Sequence, residues 1–122
     1  MSFDGIKDFS HDFLPAEKIW KSSQVLYVAP AWKGGPQAGQ VLEEIMQLSY
    51  AESLFWSGIK NEHPLVVAYC LLGLKLMKSQ KLTEIPDQVL ARRDKLTIIE
   101  GSFSTVTDLG GFARRLKRKG CG

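Results

Sequence analysis

The stretch Leu65-Val66-Val67-Ala68-Tyr69-Cys70-Leu71-Leu72-Gly73-Leu74 carries no charged side chain and limits every arrangement of the rest of the chain. It is about half the ~20 apolar residues that span a bilayer, so it reads as a buried helix rather than a membrane segment. Leu76 and Met77 prolong it. A helix that is apolar on nearly every face must be surrounded by protein. Pro64 suits its first position, where the missing N–H costs nothing. The predicted helix runs over 64–79 and is the centre of the core.

The remaining residues are enough to enclose it once. A chain of 122 residues, 44% hydrophobic and 24% charged, fits one domain over 1–122. This composition excludes wholesale disorder, and two cysteines exclude a disulfide scaffold. Cys70 lies in the apolar run and reads as a small core side chain. Cys121 does not form a prenylation box. Met1–Asp8 shows no basic segment followed by an apolar one, so no secretory signal is read. The expectation is a cytoplasmic protein with free thiols and no membrane partner.

Residues 1–37 read as an irregular N-terminal segment. Phe3, Ile6, Phe9, Phe13 and Leu14 permit a short amphipathic helix ending before Pro15, and Ala16–Ser22 a further turn with Ile19 and Trp20 inward. Val25–Val28 is a short β-prone run, followed by the breaker-rich loop Trp32-Lys33-Gly34-Gly35-Pro36.

A helix pair is expected over 38–80. Val41, Leu42, Ile45 and Leu48 share a helical face, with Glu43, Glu44 and Gln47 opposite. Ser49-Tyr50-Ala51-Glu52 has the form of a capping box, so 38–60 is one helix kinked near Ser49 or two short ones.

Over 81–122, Pro86 starts a short helix, and Leu96–Ile99 and Phe103–Val106 form a candidate hairpin around Gly101. Thr107 is the expected cap of a last helix, Asp108–Lys119, with Leu109, Phe112, Ala113 and Leu116 on its inner stripe.

The segment Gln40–Met77 resembles one helix pair of a HEAT-like α-helical repeat. The residues that carry the resemblance are Leu42, Ile45, Leu48, Leu54, Phe55 and Ile59, the turn Asn61-Glu62-His63-Pro64-Leu65-Val66, then Ala68, Leu71, Leu72 and Leu76. The resemblance covers about a third of the chain. It implies a mainly α fold: a small helical domain with a HEAT-like pair around the central helix, plus the short β-hairpin. HEAT-like modules are protein-binding surfaces, and small bacterial ones occur among immunity and adaptor proteins.

Residues suited to catalysis do not assemble into a known pattern. His11 and His63 lie in no metal or triad spacing, and His63 beside Pro64 reads as a turn or cap residue. Ser102 and Ser104 do not form a nucleophile elbow. Gly34 and Gly39 have phosphate-loop spacing, but Gln40 and Val41 stand where Lys and Ser/Thr are required. Glu43 and Glu44 are adjacent on a helix and point ~100° apart, so they do not converge on one atom. They form a solvated face or a partner-contacting one. Trp32 is core packing or an interface anchor. No enzyme activity, metal or cofactor is expected.

Arg114, Arg115, Lys117, Arg118 and Lys119 crowd the end of the chain, whereas residues 1–113 hold 11 basic and 13 acidic side chains. That cluster suits a solvated helix face, an acidic protein partner, nucleic acid or a membrane surface. Elimination and resemblance together lead to a non-enzymatic protein-binding module, most concretely an immunity-type or adaptor protein that blocks a partner such as a toxin domain. Trp32, Glu43, Glu44 and Gln47 are its expected contacts. The alternative is a nucleic-acid-associated protein using the five basic residues of the tail.

Leu72→Asp places a charge in the middle of the central helix and should unfold the domain. A variant with the wild-type melting temperature would show that this helix is not the core.

Overall fold

A computed structural model describes residues 16–28, 37–100 and 103–119. In chain order they form helix α1 (16–23), strand β1 (Leu26–Val28), and helices α2 (Gln37–Met46), α3 (Ala51–Gly58) and α4 (Pro64–Leu76). A 3-10 turn (Gln80–Glu84), helix α5 (Asp87–Leu90), strands β2 (Lys95–Glu100) and β3 (Phe103–Asp108), and helix α6 (Leu109–Lys119) follow. The fold is mainly helical, with one small sheet. No helix among the described residues is long and apolar enough to cross a membrane.

Helix α4 is central, as its composition requires. Every residue from Leu65 to Leu74 is buried, and α4 packs on α2, α3, α6, β1, β2 and the 3-10 turn. His63 precedes Pro64 and caps the helix: its Nδ1 accepts the Leu65 N–H at 3.3 Å. Helix α3 crosses α4 where Gly73 leaves room for Phe55. A Cβ at Gly73 would stand 2.5 Å from the Phe55 ring.

The helix ends at Leu76 rather than Ser79. Lys78 takes a left-handed conformation, φ 56°, and the Ser79 N–H reaches back to the Leu74 carbonyl at 2.9 Å while the Lys78 N–H reaches Lys75 at 3.0 Å. This is the helix-ending turn that glycine usually makes, here built on a lysine.

The expected helix pair has a divided first arm. Residues 47–50 form turns, so α2 and α3 are two short helices. The expected capping box at Ser49 is absent. Tyr50 occupies the cap position and its side chain makes no capping bond, and Ser49 is exposed. The Glu52 carboxylate instead accepts from the buried Ser79 hydroxyl, and Ser79 Oγ accepts the Lys81 N–H at 3.1 Å. Glu52 therefore ties the 3-10 turn to α3.

The hairpin forms, with Leu96 opposite Thr107 and Ile98 opposite Thr105. It is part of a larger sheet. Strand β1 pairs in parallel with β2, Leu26 beside Ile98, to give the order β1-β2-β3. Within the N-terminal segment, the helical turn expected at Ala16–Ser22 and the β-prone run at Val25–Val28 form α1 and β1. The proposed helix at Phe3–Leu14, the loop at Trp32, His11, the hairpin turn at Gly101 and Ser102, and Cys121 lie outside the described residues.

Tyr69 organises this side of the core. Its hydroxyl accepts the Tyr27 N–H at 3.0 Å and donates to the Val25 carbonyl at 2.9 Å. Those two groups lie on the side of β1 away from β2, so one side chain closes a strand edge. The Tyr69 ring stacks on Trp20, centroids 5.3 Å apart and planes 11° apart, and Trp20 Nε1 donates to the Ala38 carbonyl at 3.1 Å. Burial raises the Tyr69 hydroxyl above the usual tyrosine range, partly offset by Ser23. Burial likewise pushes the Cys70 thiol well up, keeping it protonated.

Tyr69→Phe keeps the stack and removes the hydroxyl, stranding the Tyr27 N–H. A loss of about 1–3 kcal/mol in urea unfolding is expected. A change within about 0.5 kcal/mol, as at indifferent surface sites, would show that the edge of β1 is satisfied otherwise.

Candidate functional site

Three surfaces hold the candidate residues. The first is on α2 and the turn that follows it, where Glu43, Glu44 and Gln47 are exposed opposite the buried Leu42 and Ile45. The structure brings these three predicted contacts together on one outward side. Trp32, their expected companion, lies outside the described residues.

The second surface is α6, and it is built by its docking. Leu109, Phe112, Ala113 and Leu116 are buried against the body. At about 100° per residue they occupy one arc of the helix, and Arg114, Arg115 and Arg118 occupy the opposite one. Those three arginines are exposed, Lys117 at the border is half-buried, and Lys119 ends the helix. Arg114 Nη1 donates to the Leu90 carbonyl at 2.6 Å, which ties the basic face to the end of α5.

Asp108 caps α6 in place of the expected Thr107, which belongs to β3. The Asp108 carboxylate accepts the Gly111 N–H at 2.6 Å. The two preceding amides are taken by carbonyls of the α5–β2 connection: Leu109 N–H to Asp94 and Gly110 N–H to Arg92, both at 2.8 Å. Asp108 wins because the strand continues past Thr107 to Asp108, opposite Lys95, and the helix starts only at Leu109. Gly110 permits this close approach. A Cβ there would collide with the Leu90 carbonyl oxygen and lie 2.6 Å from that of Arg92.

The third surface was not expected. Strand β3 is an outer strand, and no described strand pairs on its far edge. Phe103 is 76% exposed and Val106 59%, with Ser104 and Thr105 exposed between them. Directly opposed residues of an antiparallel pair share a face. Phe103 therefore lies on the side of Leu96 and Ile98, and Val106 on the other side with Thr97. The spacing held a signal: two apolar residues three apart in a strand point to opposite faces, so one core does not cover both.

Two clefts flank the α3–α4 turn, about 610 Å³ beside Glu17, Lys21 and His63 and about 350 Å³ beside Gln88 and Arg92, with Lys60, Asn61 and Glu62 between them. Arg92, Asn61 and Glu17 hold the turn between them. Arg92 donates to the Asn61 and Glu62 carbonyls at 2.8 and 2.7 Å and pairs with Asp94 at 2.8 Å. Asn61 Nδ2 donates to Glu17 at 2.7 Å, and Glu17 meets Lys21 at 3.4 Å. The Arg92 guanidinium holds the Asp94 carboxyl below the usual carboxylate range. His63 spends Nδ1 on the α4 cap, so that nitrogen is not available as a base in these clefts. Among the described residues there is no group of three or more His, Cys, Asp or Glu side chains able to hold a metal ion.

The α2 and α6 surfaces share α4 and otherwise rest on different neighbours. Helix α2 packs on α3, α4 and β1, whereas α6 packs on α4, α5, β3 and the 3-10 turn. The chain matches no protein-family model, and no curated protein or solved structure is significantly similar to it.

Gly110→Ala should displace α6 from the α5–β2 connection and cost about 1–3 kcal/mol, the range for overpacked sites. In the spectrum of this variant, shifts at Leu90, Arg92 and Arg114 are expected. Wild-type stability and unmoved signals would show that α6 does not dock as closely as described.

Proposed function

We propose that the chain is a non-enzymatic protein-binding module whose partner adds an extended segment to the outer edge of β3. The observation that carries this reading is the exposure of Phe103 and Val106 on a strand with no charged residue between Phe103 and Thr107. Outer strands of natural sheets are usually blunted by lysine, proline, a bulge or a covering element, because their free N–H and C=O groups recruit other strands. Strand β3 pairs regularly over six residues and has none of the first three. An added strand gains main-chain hydrogen bonds along the edge, and side chains on both faces supply selectivity. Phe103 on one face and Val106 on the other offer an apolar contact on each. The segment that fits is extended and uncharged at its centre, since a charge set against either side chain loses hydration without a partner.

Glu43, Glu44 and Gln47 remain the competing contact surface. The more concrete version, an immunity-type or adaptor protein occluding a toxin domain, rests on the resemblance of Gln40–Met77 to a HEAT-like pair.

The discriminating experiment is capture from the source lysate with three baits: wild type, Phe103→Lys/Val106→Lys and Glu43→Lys/Glu44→Lys. These exposed substitutions should leave the fold intact, each within about 0.5 kcal/mol. The expected result is a stoichiometric protein partner held by wild type and by the α2 variant, lost by the β3 variant, and slowing amide exchange across Phe103–Thr107. Retention by the β3 variant, loss with the α2 variant, or no stoichiometric partner would overturn the reading.

A further inference from the structure

We propose that the outward face of α6 binds the phosphate backbone of nucleic acid. The inference goes beyond the β3 reading and rests on separate observations. Burial of Leu109, Phe112, Ala113 and Leu116 fixes the helix, so Arg114, Arg115 and Arg118 form a preset array instead of a loose basic tail. On a helix rising about 1.5 Å per residue, Arg114 and Arg118 stand about 6 Å apart along the axis with Arg115 beside them. Helix α6 itself contains no acidic residue. The connection that receives its first turn adds the exposed cation Arg93, and the exposed Lys95 follows at the start of β2.

The acidic groups nearest this array are largely occupied. Asp108 is bound to the Gly111 amide and Asp94 to Arg92. Among the described residues, Glu84 and Asp87, on elements packed against α6, are exposed opposing charges. Residues 1–113 carry a net negative charge, so attraction of a polyanion concentrates on this face.

The residue types favour phosphate. A guanidinium offers a planar fork of donors that matches phosphate oxygens, and arginines outnumber lysines on the outward arc. A membrane fits less well. Surface-seeking helices bury an apolar face between lipid headgroups, and every large apolar side chain of α6 is already turned into the body. An acidic protein would be attracted too, but its carboxylates lack the regular charge spacing that rewards a row of fixed cations on a nucleic-acid backbone. The expected binding is largely independent of base sequence, because phosphate contacts position a protein without reading bases.

The test is fluorescence anisotropy of the full chain with labelled duplex DNA and single-stranded RNA of about 20 base pairs or nucleotides, with phosphatidylserine vesicles in a parallel sedimentation arm. With about four phosphates neutralised on duplex, affinity should fall roughly a hundredfold between 50 and 200 mM salt. Arg115→Glu/Arg118→Glu should bind at least tenfold more weakly at the low salt concentration with an unchanged melting temperature. Lys18→Glu/Lys78→Glu changes the net charge equally on other surfaces and should bind within about threefold of wild type. Phe103→Lys/Val106→Lys should not weaken binding, which separates failure here from failure of the β3 reading. The proposal is overturned by no binding to either nucleic acid at low salt, by equal losses in the two charge-reversal variants, or by capture on vesicles alone.

Discussion

The Tyr69 hydroxyl is the polar group around which the rest of the fold is arranged. A helix buried over ten consecutive residues satisfies its own main chain, so the one side-chain hydrogen-bonding hydroxyl it carries into the core must find partners outside it. Those partners are the Tyr27 N–H of β1 and the Val25 carbonyl just ahead of it. Fixing β1 there leaves its other edge for β2, which brings the hairpin onto the same side of α4. The ring does equal service, since stacking on Trp20 holds α1 and the Trp20 indole N–H reaches α2. Elements distant in sequence meet at one side chain of the central helix. No buried polar side-chain atom among the described residues lacks a partner, as expected for a core of this kind.

What could be read from the sequence was whatever depends on local periodicity. The uncharged run at Leu65–Leu74 announces a helix enclosed on all sides, and the inner stripe of α6 announces that the basic segment docks. The β-prone runs on either side of Gly101 pair as a hairpin for the same local reason. Other features depend on contacts that no local pattern encodes. The parallel pairing of β1 with β2 joins residues about seventy positions apart. The stop of α4 uses a left-handed Lys78 where glycine would have signalled it. Glu52 forgoes the capping box because a buried Ser79 needs it more. Asp108 replaces Thr107 for a related reason: cap identity is decided by where the strand lets go.

The candidate surfaces divide the same way. Glu43, Glu44 and Gln47 face outward as their helical phase requires, and so do Arg114, Arg115 and Arg118. Strand β3 is different, because whether Phe103 is covered depends on how far the helices extend over the sheet. Phe103 stands exposed on β3, an outer strand without charge from Phe103 to Thr107. The two surfaces favoured for recognition adjoin through Asp108, which ends β3 and caps α6. Their chemistries are opposite: neutral main chain and apolar side chains on one, fixed guanidinium groups on the other.

Both readings require that the basic segment and the hairpin belong to the same cooperative body as α4. Native-state amide hydrogen exchange, followed residue by residue, measures this directly. Amides of Ala113–Leu116 and of β2 should exchange with opening free energies within about 1–2 kcal/mol of those of Val67–Leu72, which report global unfolding. Exchange of Ala113–Leu116 at rates near those of a free peptide, with α4 still protected, would contradict the account, because the basic face would then be a loose tail rather than a fixed surface.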